Sequence, residues 1–234
     1  MKLAVFDLDH TLLPIDSGDA WSHWIATKSS RGRGDELTLL QERIEGYADA
    51  YRTGTFVALD FIHFQFGLLA REKREDLERW RAEFIDSVVR PAVLPQVTEL
   101  LEEKRREGWK LLLATGTHRF VTDPVARMLG IPYLAAATPE ERPDGSFTGE
   151  LVGHDSYGAG KLLLVREWIE RLTQEFGPLE ALEAWSDSIN DLPLLEYAAG
   201  AKPAGRAVAA NPDPRLAGIA RERGWETVRL FEKK

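Results

Sequence analysis

The chain contains no cysteine among its 234 residues. That absence excludes disulfides, thiolate metal sites and every cysteine nucleophile, cysteine-dependent phosphatase chemistry included. Its five histidines, His10, His23, His63, His118 and His154, form no H-E-x-x-H and no paired spacing. A G-x-S-x-G nucleophile elbow is missing too. A G-A-G-K stretch ends at Lys161, but Asp155 stands where a nucleotide-binding loop needs its first glycine, and Leu162 follows the lysine. Long apolar runs are also lacking. Nothing approaches the roughly 18 residues of a membrane span, and the N-terminal run Leu3 to Phe6, cut off by Asp7, is too short for a secretory signal. Positive charge is in deficit: 30 basic against 38 acidic residues leave a formal charge of -8. That balance argues against nucleic acid or an anionic membrane as the main partner. The expectation is a soluble, cytoplasmic protein.

An apolar fraction of 44% is enough for a real core. Lys2 to Phe6 reads as a short buried strand running into an acidic turn. From about Asp16 to Val88 the pattern is aromatic-rich and helical in period, with Arg31 to Gly34 as a loop. After Pro91 and Pro95, strands and helices alternate. Val97–Glu107 reads as a helix, Trp109–Ala114 as a buried strand, and His118–Leu129 as a helix kinked or delayed by Pro124. Tyr133–Ala137 reads as a strand, and residues 142–153 as a hairpin turning at Asp144-Gly145. Then come a helix over Gly160–Phe176, a strand over Ala181–Ser186, a helix over Leu192–Ala199, a strand over Arg206–Ala209, a helix over Arg215–Arg223 and a last strand over Glu226–Leu230. Such alternation predicts an α/β fold with a mostly parallel, Rossmann-like sheet. The helical block is an insert, giving a core of residues 1–15 and 89–234 and a helical cap of residues 16–88.

In open α/β sheets, ligands bind at the carboxyl ends of the strands. Three such ends carry unusual polar residues. The first has Asp7, Asp9 and Thr11; the second Thr115, Gly116 and Thr117; the third Asp187, Asn190 and Asp191. In extended chain, residues i and i+2 point the same way, so Asp7 and Asp9 are expected to converge, with Asp187 as a third acid. Crowded carboxylates repel unless a proton or cation is shared. An oxygen-rich, sulfur-free cluster of this kind suits Mg²⁺. Thr115 and Gly116 suit phosphate binding through a hydroxyl and free backbone N–H groups, although a plain helix cap explains either residue alone. Lys161 stands near a helix start, where the macrodipole disfavours a cation; pairing with an anion is one reason for it, a solvated surface position another. The aromatics of the insert are read as its core.

Taken together, FDLDHTLL, LLLATGT, Lys161 and WSDSINDLPLLE resemble, in order, the four motifs of the haloacid dehalogenase superfamily of phosphohydrolases. Their phosphoserine-phosphatase-like branch, with a helical cap between the first two motifs, is the most similar. The resemblance implies a phosphomonoesterase acting on a small phosphorylated metabolite. In it Asp7 attacks phosphorus to form an aspartyl-phosphate, and Asp9 serves as acid and then base. The Asp7 and Asp187 carboxylates and the Asp9 carbonyl hold Mg²⁺. Thr115, Gly116 and Lys161 stabilise the transferring group, Asn190 helps place substrate, Asp191 orients Lys161 or a metal-bound water, and Thr11 braces the turn. Asp16 occupies the position, nine residues past the nucleophile, at which that branch reads a substrate amine. The branch's carboxylate-binding cap arginine has no clear counterpart. An amine-bearing ester is therefore expected, with histidinol phosphate as a specific alternative. A phosphotransferase or mutase using the same aspartate, and a non-enzymatic binding module, are the rival readings.

Overall fold

The computed structural model describes residues 1–232. Strand β1 (Lys2–Phe6) is followed by four helices before the next strand: α1 (Ser17–Ser30), α2 (Gly34–Thr53), α3 (Ala58–Ala70) and α4 (Arg74–Phe84). A π-turn over Ile85–Val89 and a 3₁₀ turn over Arg90–Ala92 lead into α5 (Pro95–Arg106). The chain continues through β2 (Trp109–Ala114), α6 (Arg119–Met128), β3 (Tyr133–Ala135), and the hairpin strands β4 (Thr138–Glu141) and β5 (Phe147–Val152). It ends with α7 (Gly158–Phe176), β6 (Ala181–Ser186), a 3₁₀ turn over Ile189–Asp191, α8 (Leu192–Gly200), β7 (Ala204–Ala210), α9 (Pro214–Arg223) and β8 (Glu226–Val228).

Six strands form one sheet in the order β3-β2-β1-β6-β7-β8, and every neighbouring pair is parallel. This is the expected Rossmann-like architecture. β1 lies in the middle and is covered on both faces, which is why its sequence is an unbroken apolar run. Leu3 and Val5 pack with Val165 and Leu172 of α7 and Leu194 of α8 on one face. Ala4 and Phe6 belong to the opposite core, with Val97 and Leu101 of α5 and the buried rings Trp21, Phe66 and Phe84 of the inserted helices. Strand order reverses between β1 and β6, the place where such sheets open a crevice. The register is level there: Phe6 pairs with Trp185, and the Asp7 N–H donates to the Trp185 carbonyl at 2.9 Å.

Two local expectations fail for identifiable reasons. Pro124 does not delay α6, which starts at Arg119 and runs through it. The i−4 carbonyl left without an N–H partner, that of Phe120, accepts from Arg81 Nη1 of α4 at 2.9 Å. The hairpin begins earlier than read, pairing Thr138 with Val152 and Glu141 with Phe147, because the residues taken as the tail of β3 turn away from the sheet. Its tip is where expected: Gly145 N–H donates to the Arg142 carbonyl at 2.9 Å. The hairpin binds the inserted helices to the sheet. Arg74 donates to the Gly145 carbonyl at 3.1 Å and lies 4.6 Å over the Phe147 ring. No helix among the described residues is long and apolar enough to cross a membrane.

Candidate active site

The carboxyl ends of β1, β2 and β6 and the N-terminal ends of α1 and α7 surround a cavity of about 390 Å³. Asp7, Asp9, Asp16, Gly116, Lys161, Asp187, Asn190 and Asp191 all line it. Lys161, fixed in the first turn of α7, is the electrostatic centre. Its Nζ donates to Asp7 Oδ1 at 2.9 Å and to Asp191 Oδ2 at 2.8 Å, and all three side chains are buried. Gly160 makes this turn possible. A Cβ there would stand 2.6 Å from both the carbonyl and the carboxylate of Asp155, which accepts from the Tyr157 N–H at the helix start. Ser186 Oγ donates to the same Asp191 oxygen at 2.7 Å.

Thr11 joins the two strand ends. Its hydroxyl lies 3.0 Å from Asp7 Oδ2 and 3.4 Å from Asp187 Oδ1, and its oxygen accepts from the Asp187 N–H at 3.0 Å. One hydroxyl therefore separates the Asp7 and Asp187 carboxylates.

Asp7, Asp9 and Asp187 face one cavity, but the Asp9 carboxylate has partners of its own. After Phe6 the chain leaves the extended conformation: the Leu12 and Leu13 N–H groups both donate to the Leu8 carbonyl, and His10 takes a left-handed φ of 56°. Asp9 instead points toward the inserted helices, where Oδ1 accepts from the Ser17 N–H at 2.8 Å and Oδ2 from Thr117 Oγ1 at 2.8 Å. Among the described residues no three His, Cys, Asp or Glu side chains form a metal-holding group. Asp7 and Asp187, on either side of the Thr11 hydroxyl, are the carboxylates the geometry offers to a hard divalent cation.

Thr115 is fully buried, and its hydroxyl oxygen accepts from the Thr117 N–H at 3.1 Å. Gly116 and Thr117, not Thr115, line the cavity. Asn190 Nδ2 donates to the Tyr51 hydroxyl of α2 at 2.7 Å, a contact across the cavity mouth. Asp16 lines the cavity and also caps α1, accepting from the Asp19 N–H at 2.8 Å. The aromatics divide by role. Trp21, Phe66 and Phe84 are core, whereas Tyr47, Tyr51, Phe56, Phe61 and Tyr157 wall the cavity. The Phe56 ring lies 5.1 Å from Tyr157 and 5.6 Å from Phe61. Arg52 is at the rim and pairs with its neighbour Asp49. Thr117 stood out only as part of the second strand end and Tyr51 carried no signal of its own, because their partners Asp9 and Asn190 lie far along the chain.

Burial sets the protonation states. It pushes the Asp7 carboxyl up to about 8; Lys161 opposes the rise, and Asp191, Asp187 and Asp9 add to it. It pushes Asp9 up to about 7, helped by the Asp16 charge and opposed by the bonds from Ser17 and Thr117. Burial alone would lower the Lys161 ammonium, but Asp191 and Asp7 outweigh it and raise the group, so it stays charged. His118, buried with neither ring nitrogen hydrogen-bonded, is pushed down to about 3 by desolvation.

These shifts give a pH prediction with a definite sign. Carboxyls raised in the folded state bind more protons there than in the unfolded chain, so folding stability falls as pH rises through the window up to the folded values. His118 acts oppositely, but only below its ordinary value of 6.5. Between about pH 6.5 and 8 the metal-free protein should therefore lose melting temperature as pH rises, and added Mg²⁺ should remove that slope. Thermal denaturation at fixed ionic strength with EDTA or Mg²⁺ checks it; a flat metal-free profile would contradict the burial of the two acids.

Gly18 supplies a second prediction. A Cβ at this position would stand 2.7 Å from Thr117 Oγ1. Gly18→Ala should displace that hydroxyl from Asp9, remove a bond that holds the Asp9 carboxyl down, and shift the pH–rate limb belonging to Asp9 upward. Turnover of p-nitrophenyl phosphate across pH, in a variant that keeps its far-UV spectrum, reads this out. An unmoved limb would show that Thr117 does not tune Asp9.

The fold and this constellation together match a known family. Residues 4–196 match the haloacid dehalogenase-like hydrolases, and the chain belongs to that family. Within it the chain is a hydrolase of phosphoric monoesters of the phosphoserine-phosphatase-like branch. It is 30% identical to a histidinol-phosphatase of Neisseria meningitidis, over 97% of this chain and 98% of that one. It is 32% identical to the phosphoserine phosphatase SerB1 of Mycobacterium tuberculosis, over 95% of this chain and 69% of that one. A solved structure of a protein of unknown function from Bordetella pertussis superposes with a TM-score of 0.87 at 36% identity, covering 98% and 99% of the two chains. A substrate-bound phosphoserine phosphatase shares the fold, with a TM-score of 0.64 at 19% identity over 100% of this chain and 93% of that one.

Proposed function

We propose that the protein is a Mg²⁺-dependent phosphomonoesterase that works through a phosphorylated Asp7, and that its substrate is histidinol phosphate. The observation that carries the chemistry is the buried Lys161 bridging Asp7 and Asp191 at the cavity floor, with Asp187 one hydroxyl away. Asp7 attacks phosphorus while the ester oxygen leaves with the proton of Asp9. Asp9 then takes a proton from water, which attacks the acyl phosphate, releases inorganic phosphate and restores the Asp7 carboxylate. A carboxyl poised near 7 suits both tasks at neutral pH. Lys161 and the backbone N–H groups beside Gly116 stabilise the equatorial oxygens, with the Thr115 hydroxyl behind them. Mg²⁺ on the Asp7, Asp187 and Asp9-carbonyl oxygens would supply the positive charge that offsets repulsion between the Asp7 carboxylate and the phosphate dianion.

Residues 16–88 serve as the cap and read the rest of the substrate. Asp16 takes the ammonium group. The wall of Tyr51, Phe56, Phe61 and Tyr157 accepts a flat ring, and Asp19, also on the lining, favours a cationic one. Arg52, engaged by Asp49 and largely exposed, is a poor receptor for the carboxylate of phosphoserine. The similarity to the Neisseria histidinol-phosphatase along the full length of both chains supports the same reading. Initial rates on small phosphomonoesters test it. Histidinol phosphate should exceed phosphoserine and plain sugar phosphates in kcat/KM, with phosphate released in the absence of any acceptor. Asp16→Asn should raise KM for histidinol phosphate by about tenfold or more, the worth of one charge-assisted bond. Preference for a sugar phosphate would overturn the substrate assignment.

A further inference from the structure

Behind the cavity, Asn211, Pro212 and Asp213 join β7 to α9, which opens at Pro214, and neither Asn211 nor Asp213 lines the cavity. Each polar side chain in it is engaged by backbone from a loop that carries active-site acids. Asn211 is buried, with a left-handed φ of 47°. Its Nδ2 donates to the His10 carbonyl at 3.0 Å and to the Thr11 carbonyl at 3.3 Å. Its Oδ1 accepts from the Leu230 N–H at 2.7 Å and the Phe231 N–H at 3.2 Å. The amide thus has both donors and its oxygen satisfied, and it ties the C-terminal turn to the Asp7–Thr11 loop. His10, whose carbonyl it holds, itself adopts a left-handed φ of 56°, a conformation that costs energy in a side-chain-bearing residue and persists only when its surroundings impose it.

Asp213 does the same for the other loop. Its N–H donates to the Asp187 carbonyl at 2.7 Å, and its Oδ2 accepts from the Ile189 N–H at 2.8 Å. The remaining oxygen, Oδ1, caps α9 by accepting from the Arg215 and Leu216 N–H groups at 2.7 and 2.8 Å. The two prolines restrict the backbone on either side of Asp213.

We propose that Asn211 and Asp213 are positioning residues forming one two-armed brace: Asn211 sets the loop that carries Asp7 and Asp9, and Asp213 sets the loop that carries Asp187. The role rests on the reading of those acids as the reacting and metal-holding groups. The brace makes the spacing of the two loops a property of one short rigid segment, anchored to β7, α9 and the C-terminal turn.

Two substitutions cut the arms separately. Asn211→Gly keeps the left-handed backbone accessible and deletes the amide. Asp213→Asn preserves size and leaves one oxygen for the helix cap, but sets an N–H₂ donor against the Ile189 N–H. The readouts are hydrogen exchange of the two loops, Mn²⁺ affinity followed by electron paramagnetic resonance, and kcat against KM. Asn211→Gly should raise exchange in residues 7–13 and at Leu230 and Phe231, whose N–H groups lose their acceptor, but not in residues 186–191, and should lower kcat by about 10- to 100-fold with KM little changed, the usual range for an outer-shell partner. Asp213→Asn should raise exchange in residues 186–191 alone and weaken Mn²⁺ binding by a similar factor. Should Asn211→Gly fail to fold, Asn211→Ser, which retains a short donor, replaces it. Exchange that rises in neither loop, or that rises alike in both loops for both variants, overturns the brace. Loop-selective exchange in a protein that binds no Mn²⁺ and turns over no ester upholds the brace while refuting the function on which its catalytic role depends.

Discussion

Asp7→Asn should reduce phosphomonoester hydrolysis by about 10³-fold or more, the scale of losing a covalent nucleophile, while leaving the fold intact. Asparagine matches the carboxylate in shape and can still accept from Thr11, whose hydroxyl lies 3.0 Å away. What it cannot do is attack phosphorus as an anion or pair with Lys161 at full charge. Because Asp7 is also a proposed metal ligand, a comparison with Asp187→Asn separates the two losses. Asp187→Asn weakens only the cation site, so raised Mg²⁺ should restore part of its rate. Asp7→Asn should stay inactive at any Mg²⁺ concentration. Steady-state rates on p-nitrophenyl phosphate over a Mg²⁺ series, with far-UV circular dichroism as the folding control, decide it. Activity of Asp7→Asn within tenfold of the parent would remove the nucleophile assignment.

Lys161→Met should cost stability as well as activity. The ammonium is buried with two carboxylates at 2.9 and 2.8 Å. Deleting one partner of a buried ionic group leaves charge uncompensated, at about 3–5 kcal/mol. For a chain of this size that corresponds to a fall in melting temperature on the order of 10 °C. The sign of the pH dependence follows. Without the ammonium, nothing counters the burial that already raises Asp7, so its carboxyl holds its proton to higher pH and the loss of stability grows as pH rises. Adding Asp191→Asn to Lys161→Met removes one stranded acid and should recover part of the melting temperature without recovering turnover. The parent carboxyl already holds its proton up to about 8, so the extra loss opens above that pH, and calorimetry at about pH 7 and pH 9.5 checks both statements. A melting temperature for Lys161→Met within about 1 °C of the parent would show that the cluster is not the charge-balanced unit described here.

Much of this site was legible in the sequence because parallel α/β sheets place chemistry at strand ends, and Asp7, Gly116 and Asp187 each stand just beyond an apolar run. Lys161 and Asp191 were read as partners only through the family's motifs. Their i, i+30 separation has no local signature, and the helix dipole offered only a mild anomaly. The partners of Asp9 were not legible, because Ser17 and Thr117 reach it from the start of α1 and from the end of β2. The unbroken helix through Pro124 was not legible either, since the side chain that compensates for the missing N–H comes from α4. The aromatics of the insert defeat composition for a related reason. Core and cavity rings are the same residue types along the same helices, and only packing separates Phe66 from Phe61 on α3.

In the proposed reaction a phosphoryl group passes to the side chain of Asp7. Acid-quenched turnover followed by peptide mass spectrometry tests it most directly. The N-terminal peptide should carry the mass of one phosphoryl group, localised to Asp7, removed by hydroxylamine and absent from Asp7→Asn. Rapid substrate hydrolysis with that peptide unmodified at every quench time, and oxygen from labelled water entering phosphate but never the Asp7 carboxylate over many turnovers, would contradict it.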